Sequence, residues 1–286
     1  MKKSIVFGAI ICALFAMFAS CSAPAGGSEP TYIGTKKPAD AKAVGDIVFN
    51  DGSATPYDEI IARTEDDSET GKKITKAEKD AAIAVIFYVG TGLNSDVNGV
   101  ANTTTSRTLG VGLKHDQSGR AWCRYTSDTD KAEAYSTNIT TIQCPESGSA
   151  GALTFSGDKD GSDNLEQIKA FLTSNGKTDD TATKANYPAF YFAKDYSDTA
   201  TNLGTYRTGW YLPTLAELFA IWKVKATVDS ASELCGGSQF GTSIYRSSSQ
   251  YTIYAQYAYN LRFNYGDWGN DGKGSNYSVC AVRAFN

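Results

Sequence analysis

The sequence predicts an α+β fold of short antiparallel strands, at least two helices and much irregular loop. Three observations carry this. Ala84 to Val89 is a continuous β-branched and aromatic run, suited to a strand buried on both faces. Leu165, Ile168 and Leu172, and later Leu215, Leu218, Phe219 and Trp222, fall at helical spacing. The final stretch alternates: Tyr259, Leu261 and Phe263 against Asn260, Arg262 and Asn264, then Val279, Ala281 and Arg283 against Cys280, Val282 and Ala284.

Taken in order, Ala43 to Phe49 reads as a strand running into the turn Asn50-Asp51-Gly52-Ser53, where Asp-Gly supplies the turn chemistry. Lys76 to Ala82 is a polar helix or a loop leading into the Ala84 strand. Asn94 to Ser106 is a polar loop. Leu109 to Lys114 is a glycine-containing strand that pairs with the preceding one as a hairpin arm. Arg120 to Thr126, with Trp122 and Tyr125, fits a strand edge or a core plug, and Ser127 to Gly151 reads as loop. Asp163 is placed to cap the helix Asn164–Leu172. A second helix is expected over Lys184–Asp195, with Pro188 near its first turn. In Gly209-Trp210-Tyr211-Leu212-Pro213-Thr214-Leu215-Ala216-Glu217-Leu218, Thr214 and Glu217 form a capping box that starts a third.

Ahead of these elements, residues 1–20 read as an export signal: Lys2 and Lys3, an apolar core from Ile5 to Phe18, then small residues before Cys21. The apolar run is too short to span a bilayer comfortably. Residues 21–40, rich in Ser, Gly, Pro and Ala, form a flexible tether, leaving 41–286 as one large domain or two small ones. Phe18-Ala19-Ser20-Cys21 resembles the bacterial lipoprotein lipobox, which implies lipidation at Cys21 and anchoring on the bacterial outer membrane or cell surface.

A net charge of -4, with no longer basic run past the signal than Lys36-Lys37 or Lys72-Lys73, argues against nucleic acid as a partner. Cys123, Cys144, Cys235 and Cys280 lack metal-ligand spacing, and His115 is the only histidine, so no metal or other cofactor is expected. In an exported chain these four cysteines default to disulfides. Three pairings exist; Cys123–Cys144 with Cys235–Cys280 keeps each bridge within its own half, and buried thiols are the alternative. His115 beside Asp116 reads as a loop histidine rather than a base with its orienter. Asp158 to Asn164 departs from the EF-hand spacing and reads as a solvated turn before a helix. Gly269 interrupts what would otherwise be a Trp-Asn-Asp lectin calcium motif at Trp268–Asp271.

Between Tyr245 and Tyr277 lie seven of the 17 tyrosines, among Ser, Gly and Asn. That mixture suits adaptable contact surfaces, since Tyr covers a large area at low rotamer cost. The residues 209–218, then Tyr245-Arg246-Ser247-Ser248-Ser249, then Cys280-Ala281-Val282-Arg283, are similar in order to markers of bacterial C-type-lectin-like domains related to the formylglycine-generating-enzyme fold. With the lipobox and the tyrosine-rich segment, the chain resembles the retroelement-diversified variable lipoproteins of treponemes, relatives of the phage major tropism determinant. The resemblance covers about residue 44 to the end.

This resemblance implies a C-type-lectin-like fold whose variable region, about 246–275, displays residues diversified by adenine-directed mutagenesis. The positions implied are Arg246, Tyr251, Thr252, Ile253, Tyr257, Tyr259, Arg262, Asn264, Asp267, Gly269, Asp271, Gly272, Gly274 and Ser275. Ser247 to Ser249, Leu261, Phe263, Trp268 and Val279 to Phe285 would be the unvarying frame. The function implied is non-enzymatic binding of a protein or glycan ligand at the cell surface. A formylglycine-generating-type catalytic domain and a structural envelope lipoprotein are the alternatives.

Overall fold

The computed structural model describes residues 30–177 and 182–286. The signal, Cys21 and the first part of the tether, up to residue 29, lie outside the described residues. From Tyr32 onward the chain forms one unit.

β1 (Asp46–Phe49) turns through Asn50–Ser53 into β2 (Ala54–Pro56), followed by α1 (Tyr57–Ile61) and α2 (Lys76–Ala81). β3 (Ala82–Gly90), β4 (Arg107–Gly112) and β5 (Asp116–Ala121) come next. Two small hairpins follow, β6 (Tyr125–Ser127) with β7 (Asp130–Lys131) and β8 (Glu146–Ser147) with β9 (Thr154–Phe155). The remaining helices are α3 (Asn164–Ser174), α4 (Pro188–Lys194), α5 (Leu215–Lys223) and α6 (Lys225–Leu234). The chain then forms β10 (Ile244–Gln250), β11 (Tyr257–Arg262), β12 (Asp267–Gly272), β13 (Asn276–Val279) and β14 (Val282–Ala284). None of the described helices is long and apolar enough to cross a membrane.

The strands make two five-stranded sheets, ordered β14-β4-β3-β1-β2 and β12-β11-β10-β13-β5. Pairing is antiparallel, except that β13 runs parallel to β10. The expected β3–β4 hairpin forms, and Ala84 to Phe87 are buried on both faces as their apolar run requires. α5 packs its Leu215, Leu218, Phe219 and Ile221 into a core shared with Val85, Phe87, Tyr245, Tyr259, Leu261 and Phe263. A second core gathers Trp122, Tyr187, Phe190, Tyr196 and Trp210 with Val279 and Ala281.

Helix starts follow the capping chemistry. Thr214 and Glu217 complete their box, and Thr75 with Glu78 forms another at α2. Asp163 does not cap α3 with its side chain. A 3₁₀ turn at Gly161–Asp163 precedes the helix, and the Asp163 carboxylate accepts instead from Gln167 Nε2 at 2.8 Å. The helix expected over Lys184–Asp195 occupies Pro188–Lys194, because Pro188 takes the first turn. The sequence reading missed α6. Its buried face consists of Val228, Asp229, Ala231 and Ser232, too polar for the apolar period to register.

The Asp158–Asn164 turn is solvated only at Ser162; Asp158, Asp160, Gly161 and Asn164 are buried. Arg107 from β4 pairs with Asp160 at 2.6 Å and lies 3.6 Å from Glu217. Arg107 Nη2 donates to the Tyr211 hydroxyl (2.9 Å), which donates to Glu217 Oε1 (2.7 Å). The other Glu217 oxygen accepts from Thr214 N and Gly161 N, and Asn164 Nδ2 donates to Ser248 Oγ at 2.8 Å. One charged cluster thus joins the start of α5, the turn before α3, a strand of the first sheet and β10 of the second. Burial pushes Glu217 up to about 7 and Asp158 up to about 8.

The expected disulfides are absent. Cys144, Cys235 and Cys280 are buried free thiols, so neither Cys123–Cys144 nor Cys235–Cys280 forms. Cys123 sits in the second core while the other three sit in the first, each filling apolar space as a small hydrophobe. Burial raises all three thiol pKa values, Cys235 to about 12. Native protein is therefore expected to resist iodoacetamide, whereas unreduced, denatured protein takes up label at Cys144, Cys235 and Cys280 by mass spectrometry. A second expectation follows from Asp158 and Glu217. The folded chain holds protons that the unfolded chain releases from about pH 4 upward, so stability falls as pH rises towards 8. Thermal melts from pH 5 to 8 should show that decline, and Asp158→Asn should flatten part of it.

Candidate functional site

The tyrosine-rich segment forms β10 to β13 and the turns between them. Ser247, Ser248 and Ser249 are fully buried in β10. Ser247 Oγ donates to Tyr259 O, Ser248 O accepts from Trp122 Nε1, and Ser249 Oγ accepts from Leu215 N. The Ser247 and Ser249 hydroxyls and the Ser248 carbonyl thus satisfy backbone and indole groups of three neighbouring elements.

Several of the expected contact residues belong to this frame. Arg246 is fully buried, donating to Ala258 O (3.1 Å), Gly272 O (3.1 Å) and Ser275 O (3.0 Å). Its guanidinium lies 4.6 Å over the Tyr277 ring. Burial lowers its pKa to about 10. Rather than displaying charge, Arg246 ties β11 to the β12–β13 turn. Tyr251 and Tyr259 are buried too, packed edge to face at 5.1 Å and both against Trp268. Gly269 is also buried, and a Cβ there would come within 2.6 Å of Asn260 Oδ1.

The other expected positions are exposed or half-buried, and they separate to the two ends of the β11–β12 hairpin. At one end lie Arg262, Asn264 and Asp267, with Arg262 and Asp267 3.6 Å apart. At the other lie Thr252, Ile253 and Tyr257 on the β10–β11 turn, and Asp271, Gly272, Gly274 and Ser275 towards β13. β11 has six residues, so the ends stand about 17 Å apart. Asp271 accepts from the Tyr277 hydroxyl at 2.5 Å. Against the opposing pull of partial burial, this bond and one from Gly272 N hold its carboxyl below the usual range.

The second end is aromatic. Ile253 is 68% exposed, Tyr254 57% and Tyr257 37%, with the two tyrosine rings 5.6 Å apart. Tyr125 and Tyr135, from β6 and the turn after β7, stack at 4.3 Å beside the β12–β13 turn. A Cβ on Gly274 would meet Tyr125 at 2.7 Å, and one on Gly272 would lie 3.9 Å from the Tyr135 hydroxyl. Tyr257 is close enough to raise the Tyr135 pKa, although burial contributes most. Lys131 stands 5.7 Å over the Tyr135 ring. The sequence reading missed Tyr125 and Tyr135 as surface residues because nothing local signals that a hairpin 120 to 150 positions earlier abuts this turn. It also missed Lys273, the only lysine after Tyr245. Lys273 is fully buried, donating to Ala134 O (2.6 Å) and Gln250 Oε1 (3.2 Å) beneath Trp122, and burial pushes its pKa down to about 7.

His115 lies in an aromatic niche, its ring 4.5 Å from Phe240 and its Nδ1 2.8 Å from the Tyr245 hydroxyl. Asp116 pairs with Arg120, not with His115. Burial lowers the imidazole pKa to about 4, which keeps it neutral. Among the described residues, no group of three or more His, Cys, Asp or Glu converges on a metal position.

Fold and surface together define a mixed α+β domain of two mainly antiparallel sheets, with an aromatic patch at one end of the second. Neither a protein-family model nor a curated protein matches the sequence. Among solved structures, the chain is similar to a fimbrial protein from Bacteroides ovatus, with a TM-score of 0.54 and 14% identity. That similarity covers 85% of this chain and 49% of the other, so this chain spans about half the length of the fimbrial one. At this identity the likeness concerns the fold.

Arg246→Leu is expected to cost about 3 kcal/mol or more, since it removes three hydrogen bonds from a buried guanidinium to carbonyls. Arg262→Ala is expected to stay within about 0.5 kcal/mol of the parent. Urea denaturation of both variants measures the difference.

Proposed function

We propose that this chain is a surface-displayed ligand-binding lipoprotein built on a C-type-lectin-like frame. Its binding site is the aromatic end of the second sheet, and its exposed residues there differ among copies of the protein. The observation that carries this reading is the distribution of tyrosines. Among the described residues the exposed ones are Tyr125, Tyr254, Tyr257 and Tyr265, and the first three belong to the patch around the β10–β11 and β12–β13 turns. Rigid aromatic side chains on a hydrogen-bonded frame supply anchor area with little ordering cost, which suits a protein or glycan ligand.

Arg246, Tyr251 and Tyr259 leave the set of contact residues, and Tyr125, Tyr135 and Tyr254 join it. The fold likeness to a fimbrial protein is compatible with display at the cell surface. The catalytic alternative draws little support from Cys144, Cys235 and Cys280, whose buried thiols lack thiolate character.

Binding to printed arrays of glycans and of peptides tests the site. The double variant Tyr254→Ala, Tyr257→Ala is expected to lose at least about tenfold in affinity for any probe bound by the parent, while Arg262→Ala with Asp267→Ala retains it. The reverse pattern would overturn the placement. Diversification has its own test in sequences of this segment from many isolates. Differences should cluster at Thr252, Ile253, Tyr257 and Ser275 and spare Arg246, and an even scatter over buried and exposed positions would count against it.

A further inference from the structure

A cavity of about 320 Å³ lies between the end of β3, the β8–β9 hairpin and one side of α5, and none of the tyrosine patch lines it. Its volume falls at the lower end of the range for ligand pockets. Ala216 and Ala220 stand one turn apart on α5, and their short side chains leave the space open. Leu93, Leu153, Phe155 and Phe219 form the apolar part of the wall, the two phenyl rings edge to face at 5.5 Å.

Three polar side chains line the cavity, Tyr88, Lys159 and Lys223, and each offers a hydrogen-bond donor, while no carboxylate lines it. The carboxylates on either side of Lys159 are engaged elsewhere: Asp160 pairs with Arg107 at 2.6 Å, and Asp158 Oδ1 accepts from Asp160 N at 3.0 Å. Neither Lys159 nor Lys223 forms a salt bridge among the described residues, and the Lys223 ammonium lies 5.5 Å over the Phe219 ring. The Tyr88 hydroxyl accepts from Gly92 N at 2.6 Å, so its own proton is left for another acceptor.

We propose that this cavity binds a small amphipathic acid, its carboxylate on the Lys159 and Lys223 ammonium groups and the Tyr88 hydroxyl, its aliphatic or aromatic body against Leu93, Leu153 and Phe219. Side chains that donate and do not accept select an anion, and a cationic ligand would meet two like charges. The apolar wall selects against a bare oxyanion, which would leave Leu153 and Phe219 uncovered. Size sets the scale of the ligand. At roughly 30 Å³ for each water-sized group, the cavity holds about ten non-hydrogen atoms, which is a short acid rather than a long lipid chain. Charge-assisted bonds from three donors fix the head, and burial of the body supplies the remaining affinity.

Isothermal titration calorimetry of the full chain with octanoate tests this. Saturable binding at one site is expected. Octanol keeps the body without the charge and inorganic phosphate the charge without the body, so each should bind at least about tenfold more weakly, and octylammonium should not bind. Lys159→Gln with Lys223→Gln should weaken octanoate at least about tenfold, and Tyr88→Phe about tenfold, with unchanged circular dichroism spectra. Ala220→Leu fills the cavity from α5 and should abolish binding; the lysine pair carries the test where that variant fails to fold. Absence of saturable octanoate binding, equal affinity for octanol, phosphate or octylammonium, or full binding by the double lysine variant would each overturn the proposal. Full binding by Tyr88→Phe would overturn the role of that hydroxyl. Tyr254→Ala with Tyr257→Ala should leave octanoate affinity unchanged, and its loss there would overturn the placement in this cavity.

Discussion

The structure depends on the buried charge cluster centred on Glu217. A carboxylate with no exposure is tolerable only if its lone pairs are met. Here Tyr211, Thr214 N and Gly161 N meet them, with the Arg107 guanidinium alongside. These partners come from three parts of the chain. Because removing one would strand the others, the cluster fixes the turn before α3, the start of α5 and strand β4 relative to one another. Ser248 and Ser249 extend the same bonding into β10. Specificity of arrangement, more than net stability, is what such a network contributes.

A frame held in this way allows its surface to carry residues chosen for contact. The outward side chains at the aromatic end of the second sheet contribute little to holding β11 and β12 together. That task falls to the ladder itself, to Arg246 beneath it and to Lys273 under Trp122. Two long cationic side chains sunk into the base of a surface take the place of an apolar layer. Their aliphatic stems fill volume while their donors reach carbonyls of the surrounding turns.

Much of the fold was legible in the sequence where a local rule governs it. The Thr214–Glu217 box, the apolar β3 run, the Asn50–Ser53 turn and the Tyr259, Leu261, Phe263 alternation all appear where their chemistry places them. What escaped was decided by distant partners. Arg246 reads as a surface charge until the carbonyls of Ala258, Gly272 and Ser275 surround it. Asp158 and Asp160 read as a solvated turn until Arg107 arrives from β4. The cysteines illustrate the opposite error. Export suggested bridges, yet a core this apolar needs no cross-link and uses the thiols as filler. For the binding surface, the tyrosine-rich segment was legible as a whole, but its division into frame and face needed the register of β11 with β12.

The strand order of the first sheet has a consequence for how this chain is made. The sheet that begins with β1 is not closed until β14 pairs with β4, and the Asn286 side chain bonds Thr108 N across 178 positions. No early portion of the chain can complete that sheet by itself. Folding must wait for synthesis to deliver the last strands, and such distant pairing is slow.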